Sequence, residues 1–315
     1  MKSWKLVQRF SQDYDLALGT LLKDDNQHNE PGMLERVQLA AYYSQTVDRP
    51  RTALNLMRSY LQSATLNVFR NKHPEMTRWA RAEAAKCDVL LVDHYEMFQY
   101  VPDTFSGKVI LHQHNAEYVI WERFAALEND AVKKAVLKAE ATRVKKAEKK
   151  YCQRANLVLA TPNDIEKLVA IGVDASKCKV TYHLGDDGMM KLPDIEWEAT
   201  QPSLLFVGTL PWEPNANGLI WFIDKCWPEL KAQMPELSFN IVGRDPDQRL
   251  LQRAEMHPDI TLHGFVEDLE PIHQRSRAFV VPLLFGSGMK VKVLHGLYRG
   301  IPICLLYTSP SPRDA

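Results

Sequence analysis

The chain has 315 residues, 39 basic and 39 acidic side chains, a formal net charge of zero and 45% hydrophobic residues. That is the balance of a folded globular protein, long enough for two domains at about 100–200 residues each, and it lacks the basic surplus of a nucleic-acid binder. No apolar run reaches the roughly 18 residues that span a bilayer, the first ten residues hold no signal-peptide core, and the scattered cysteines (Cys87, Cys152, Cys178, Cys226, Cys304) form no metal or disulfide spacing, so a reducing cytoplasm is expected.

In chain order, short apolar runs predict buried strands at 16–22, 89–93, 109–113, 157–161 and 180–183. Between them, helical periodicity predicts helices at 33–43, 50–60, 74–86, 116–126, 130–154 and 163–171. Such runs alternating with helices predict a parallel sheet. Residues 185–202 hold turn formers and little periodicity and read as a linker. A second alternation follows, with strands at 204–207, 237–242, 260–265, 278–281 and 301–306 and helices at 217–233, 246–256, 269–275 and 289–298. Two such series predict an α/β protein of two Rossmann-like doubly wound domains, 1–184 and 203–306. The Ser/Pro-rich segment 307–315 does not read as the end of a folded domain and is expected to be non-native or disordered.

Three loops of the second half follow predicted strands, where open α/β sheets bind ligands. Gly208 ends the first strand, so a ligand can approach its backbone closely. Arg244 lies just past the second. The third loop, Pro282-Leu-Leu-Phe-Gly-Ser-Gly-Met-Lys-Val-Lys292, feeds a helix whose free N–H groups attract phosphate, and Lys290 would add a full positive charge. Each alone has a plainer explanation: a Gly-x-Gly turn closes a corner, Arg244 is a solvated loop residue, and Trp212, Trp221, Phe222 and Trp227 pack a helix. Their combination in one domain favours a phosphate-bearing ligand.

The segments Val207-Gly-Thr-Leu-Pro-Trp-Glu-Pro-Asn-Ala-Asn-Gly218, Ile241-Val-Gly-Arg-Asp-Pro246, His263-Gly-Phe-Val-Glu-Asp268 and Val280-Val-Pro-Leu-Leu-Phe-Gly-Ser-Gly-Met-Lys290 together resemble, in order and spacing, the family 4 (group 1) glycosyltransferases of the GT-B fold. The resemblance implies two Rossmann-like domains facing each other across a cleft, the second holding a nucleotide-diphosphate sugar. Gly208 and Thr209 would face the diphosphate, Arg244 and Lys290 would neutralise it, and Gly286, Ser287 and Gly288 would lie under the phosphates or sugar. Phe265 and Val266 would contact the base. His295 stands where many members place a ribose-binding glutamate, and Ser287 where they place another; Thr209 stands where arginine is frequent. The family retains anomeric configuration and needs no metal or other cofactor beyond the sugar nucleotide.

In the first half, a strand runs into His112-Gln-His-Asn-Ala-Glu117. As residues, this is a plausible helix cap at Asn115. The resemblance instead implies that His114 and Glu117 serve the transferred sugar, with Asn115 at the acceptor. Tyr95 and Glu96, in the segment after the strand at 89–93, are further candidate acceptor contacts. The helix 130–154 carries nine lysines and arginines. They form either a solvated face or a patch for anionic lipid headgroups, which would suit a lipid-linked or glycan acceptor and a peripheral place at the inner face of the membrane. The resemblance also expects a strand and glycine-rich loop before Trp4 and further elements after Ile303, so the chain reads as clipped at both ends. The alternatives are a non-catalytic nucleotide-sugar-binding fragment and a nucleotide-sugar epimerase of the same fold.

Overall fold

The computed structural model describes residues 2–22, 32, 34–47, 49–50, 52–62, 64–182, 188–284 and 291–306. The chain divides into two compact units, Met1–Tyr182 and His183–Ala315.

The first unit opens with helix α1 (Lys2–Asp13) and strands β1 (Ala17–Leu22) and β2 (Ala41–Thr46), which pair in parallel. Helices α2 (Ala53–Leu61), α3 (Leu66–Arg70) and α4 (Pro74–Ala84) lead to β3 (Val89–Asp93) and a 3-10 helix at Tyr95–Tyr100. Then come β4 (Lys108–His112), α5 (Glu117–Leu127), α6 (Ala131–Arg154), β5 (Leu157–Ala160), α7 (Pro162–Ala170) and β6 (Cys178–Val180). Strands β3 to β6 form a parallel sheet in sequence order, separate from the β1–β2 pair. Leu111, Val158, Ala160 and Val144 are wholly buried in its core.

The helix expected at 33–43 runs instead into β2. Its last residues, Ala41-Tyr-Tyr, start a strand whose aromatic and threonine content suits a pleated surface. On helical spacing, Leu137, Ala141, Val144 and Tyr151 of the long helix line one face. Its buried stripe is Glu140, Ala141, Val144, Glu148 and Cys152. Arg143, counted among its solvated basic residues, folds inward. It donates to Glu140 Oε2 at 2.5 Å, to Ser59 O at 3.1 Å and to the Ala64 carbonyl, and lies 3.6 Å over the Tyr60 ring.

The second unit holds β7 (Gln201–Val207), α8 (Glu213–Lys225), α9 (Trp227–Gln233), β8 (Ser238–Val242), α10 (Gln248–Glu255), β9 (Ile260–Gly264), α11 (Glu270–His273), β10 (Ser276–Val281), α12 (Val291–Tyr298) and β11 (Ile303–Leu305). All five strands are parallel, in the order β11-β10-β7-β8-β9. Alternate side chains serve opposite faces. Phe206, Phe239, Ile241 and Val280 pack under α8 and α10. Leu205, Val242, Phe279 and Val281 pack on the other face with Val293 of α12. Burial on both faces explains why these strands read as continuous apolar runs. The helix expected at 217–233 is two helices that meet at Cys226, with Pro228 opening the second. Trp227 and Phe222 are core residues, as their helical spacing suggested. No helix among the described residues is long and apolar enough to cross a membrane.

Candidate functional site

Within the second unit, the first strand β7 is flanked by β8 on one side and β10 on the other, so the strand order reverses between β7 and β10. Chains leaving the two strands there turn to opposite faces and open a crevice at the carboxyl ends, the usual ligand position in a doubly wound sheet. The turn 208–212 and the segment beginning at Pro282 leave at that point.

Its floor is backbone. Gly208 N–H donates to Val242 O at 3.0 Å, and Gly243 N–H donates to Gly264 O at 2.9 Å, so the strand ladder continues one residue past each strand end. A Cβ on Gly208 would come within 2.8 Å of Lys292 Nζ, and one on Gly243 would strike the Gly208 carbonyl. Side chains at either position would close the approach. Asn215, only 2% exposed, ties the first turn together: its amide donates to Thr209 O at 2.8 Å, and its Oδ1 accepts from Lys292 Nζ at 2.6 Å. Lys292 Nζ also lies 4.3 Å over the Phe206 ring.

Arg244 is exposed at the end of β8, and its guanidinium stacks 3.9 Å over the exposed ring of Phe265 beyond β9. Thus Gly208, Thr209, Arg244, Phe265 and Val266 all lie at the carboxyl ends of neighbouring strands, Val266 half-buried against the core. His295 lies on α12, close enough to the buried His273 to disfavour its protonation, an effect secondary to burial. Gly286, Ser287, Gly288 and Lys290 lie outside the described residues. Lys292 ends the third loop read from the sequence, where only Lys290 was given a role; the fold shows Lys292 against Gly208.

In the first unit, β3 and β4 pair with Asp93 opposite His112. Asp93 Oδ1 lies 2.7 Å from His112 Nδ1 and 2.6 Å from His114 Nε2, and the rings of His94 and His114 stack at 3.8 Å. His94 adopts φ 72°, a left-handed conformation costing a non-glycine residue about 1–3 kcal/mol. Its N–H donates to His112 O at 3.0 Å. Asp93, His94 and His114 form a group that is able to hold a metal ion. Hydrogen bonds from His112 and His114 hold the Asp93 carboxyl far below its ordinary range against the opposing effect of burial. Burial takes His114 down to about 4, helped by His94 and opposed by Asp93.

His114 therefore stays neutral when the unfolded chain, with its ordinary value of 6.5, takes up a proton. A depressed folded value means stability fully present above pH 6.5 and lost as pH falls from 6.5 through 4, at no more than about 1.4 kcal/mol per pH unit. Urea unfolding in a chelator, compared with His114→Gln, checks this: the variant should lose part of the slope in that window, and parallel profiles would remove the assignment.

Asn115 and Glu117 lie beside this cluster, half-buried, Glu117 accepting from Asn67 Nδ2 at 3.3 Å. Glu96 is half-buried in the 3-10 helix. Tyr95 corrects the sequence expectation. It is 1% exposed, its hydroxyl against Thr65 at 3.2 Å, because a 3-10 turn after β3 directs it inward, out of an acceptor's reach.

Residues 201–310 match the family model for glycosyl transferases, group 1. The second unit is a group 1 glycosyltransferase domain. Over 297 residues, the chain is 22% identical to an uncharacterized 44.6 kDa protein in the cps region of Klebsiella pneumoniae, covering 91% of this chain and 73% of that protein. Among solved structures it is similar to HepE of Anabaena in complex with UDP and glucose (TM-score 0.62, 13% identity, 95% of this chain and 75% of that one). It is also similar to the lipopolysaccharide outer core galactosyltransferase WaaB (TM-score 0.51, 14% identity, 90% and 69%). At these identities the structural likeness establishes the fold, which is of the GT-B class.

Proposed function

We propose that this glycosyltransferase moves a sugar from a nucleoside-diphosphate donor to a hydroxyl of a glycan or lipid-linked acceptor, with retention and without a metal cofactor. The observation that carries the reading is the bare glycine backbone at the carboxyl ends of β7 and β8, where Lys292 lies against Gly208 and Arg244 follows Gly243. Fixed positive charge in that place stabilises the charge that grows on a departing diphosphate. The UDP and glucose bound to HepE support a uridine nucleotide as the first donor to try. Phe265, held under Arg244, offers an aromatic surface for the base. Lys290 and the turn 286–288 keep their phosphate assignment on the sequence resemblance.

His114 is the candidate for the reacting sugar. A neutral imidazole both donates and accepts hydrogen bonds, and Asp93 fixes its orientation. Glu117 stays with His114 as a candidate for the transferred sugar, and Glu96 and Asn115 remain the acceptor-side candidates. The exposed Lys133, Lys138, Lys146, Lys149 and Lys150 of α6 would add a peripheral contact with anionic lipid, which vesicle cosedimentation checks.

Thermal unfolding of the whole chain with UDP, GDP and their sugars tests the donor reading. Protection by one nucleotide series and not the other is expected, since a ligand at a hundred times its Kd adds about 2.7 kcal/mol. No protection by any of them would overturn it.

A further inference from the structure

Of the cluster at the ends of β3 and β4, the sugar-transfer reading uses His114 and Asp93 and gives His94 no role. One ligand atom from each of Asp93, His94 and His114 lies within 4.8 Å of the others. Two imidazoles and a carboxylate suit zinc, nickel and cobalt, and suit magnesium or calcium poorly, since those prefer an all-oxygen shell. A tetrahedral ion with bonds of about 2.0–2.1 Å places its ligands about 3.4 Å apart. To bring their in-plane lone pairs onto one ion, the His94 and His114 rings turn out of their face-to-face stack.

Two further features shape the group. Zinc-type sites commonly hold their ligands from behind with a second layer of hydrogen bonds. Here His112, 1% exposed, sits 2.7 Å from Asp93 Oδ1 through Nδ1 and fixes the carboxylate. His94 is held at positive φ by its N–H bond to His112 O, a conformation that sets its ring parallel to His114, 14° between planes.

We propose that Asp93, His94 and His114 bind one divalent ion of the zinc class, with the remaining coordination position open to water. Ion binding takes Asp93 and His114 away from the 2.6 Å contact that orients the imidazole in the proposed transfer, so the ion acts as an inhibitor of transfer. The binding itself does not depend on the transferase reading; only the inhibition does.

The test is titration of the full chain with Co²⁺, following the visible d–d absorption of a tetrahedral site. One equivalent should develop the band, Zn²⁺ should displace it, and His94→Ala should weaken Co²⁺ binding at least tenfold. The control His257→Ala, on the other unit, should leave it unchanged. Absence of the band in the parent chain, or equal affinity in a folded His94→Ala, overturns the site. Zn²⁺ binding without loss of transferase activity would leave the site standing and overturn its inhibitory role. Asp93→Asn is a second variant: if it unfolds, His94→Ala decides alone, because His94 is only half-buried.

Discussion

Glu148→Ala should cost the first unit about 3–5 kcal/mol, since each buried donor left without an acceptor costs about 1–3 kcal/mol and the losses overlap. Glu148 is wholly buried on α6. Its Oε1 accepts from Gln113 Nε2 at 3.1 Å and from Glu117 N–H at 2.8 Å, and its Oε2 accepts from Tyr118 N–H at 2.8 Å. The two N–H groups open α5, whose own N-cap residue, Ala116, has no side-chain acceptor to offer. Ala116 N–H goes to Asp164 Oδ1 of α7 at 2.8 Å. Carboxylates from two other helices thus do the capping that a local side chain usually does. Burial pushes the Glu148 carboxyl well above its ordinary range, and the two helix N–H bonds oppose that shift. Glu148→Gln keeps one acceptor and should cost markedly less. Equilibrium urea unfolding of both variants reads the difference; equal, small losses would show that the α5 terminus finds other partners. The same change should disturb His114 and Glu117, because the segment they occupy is anchored there.

Lys292→Ala should weaken nucleoside-diphosphate binding by about 10- to 150-fold, the equivalent of one charge-assisted hydrogen bond of about 1.5–3 kcal/mol. The lysine is pinned by Asn215 beside the Gly208 backbone, so it meets a diphosphate with little ordering left to do. Thr209 stands where the related sequences favour arginine, and Lys292 supplies a cation to the same turn from α12 instead. Calorimetry with UDP at low and moderate salt measures the effect. A folded Lys292→Ala that binds as the parent does, while Arg244→Ala does not, would move the phosphate site to β8. If neither variant differs from a parent that binds no nucleotide, the donor reading itself falls.

Much of this was legible in the residues. The apolar runs 204–207 and 237–242 read as buried strands, and Gly208 ended the first where backbone could be approached closely. What escaped notice were carboxylates. Glu140, Val144, Glu148 and Cys152 recur every four residues, a single helical stripe, yet the density of lysine around them suggested a solvated helix. A glutamate on a buried stripe has no sense until its partner is known, and the partners lie at distant positions: Leu66 N–H for Glu140 at 2.6 Å, and the start of α5 for Glu148. Tyr95 failed for a related reason, since periodicity cannot show which way a short 3-10 turn faces.

The sequence by itself determined the parallel α/β class, the second series of strands and the loops at their carboxyl ends, because strand burial, helix period and glycine geometry are local properties of the chain. Tertiary structure alone decided which cation meets the Gly208 turn, which carboxylates cap α5, and that Asp93, His94, His112 and His114 meet at all. Those groups come together only through the registers β3–β4 and β7–β8 and the reversal of strand order at β7. Register and strand order arise from packing between segments far apart in sequence, and no local pattern encodes them.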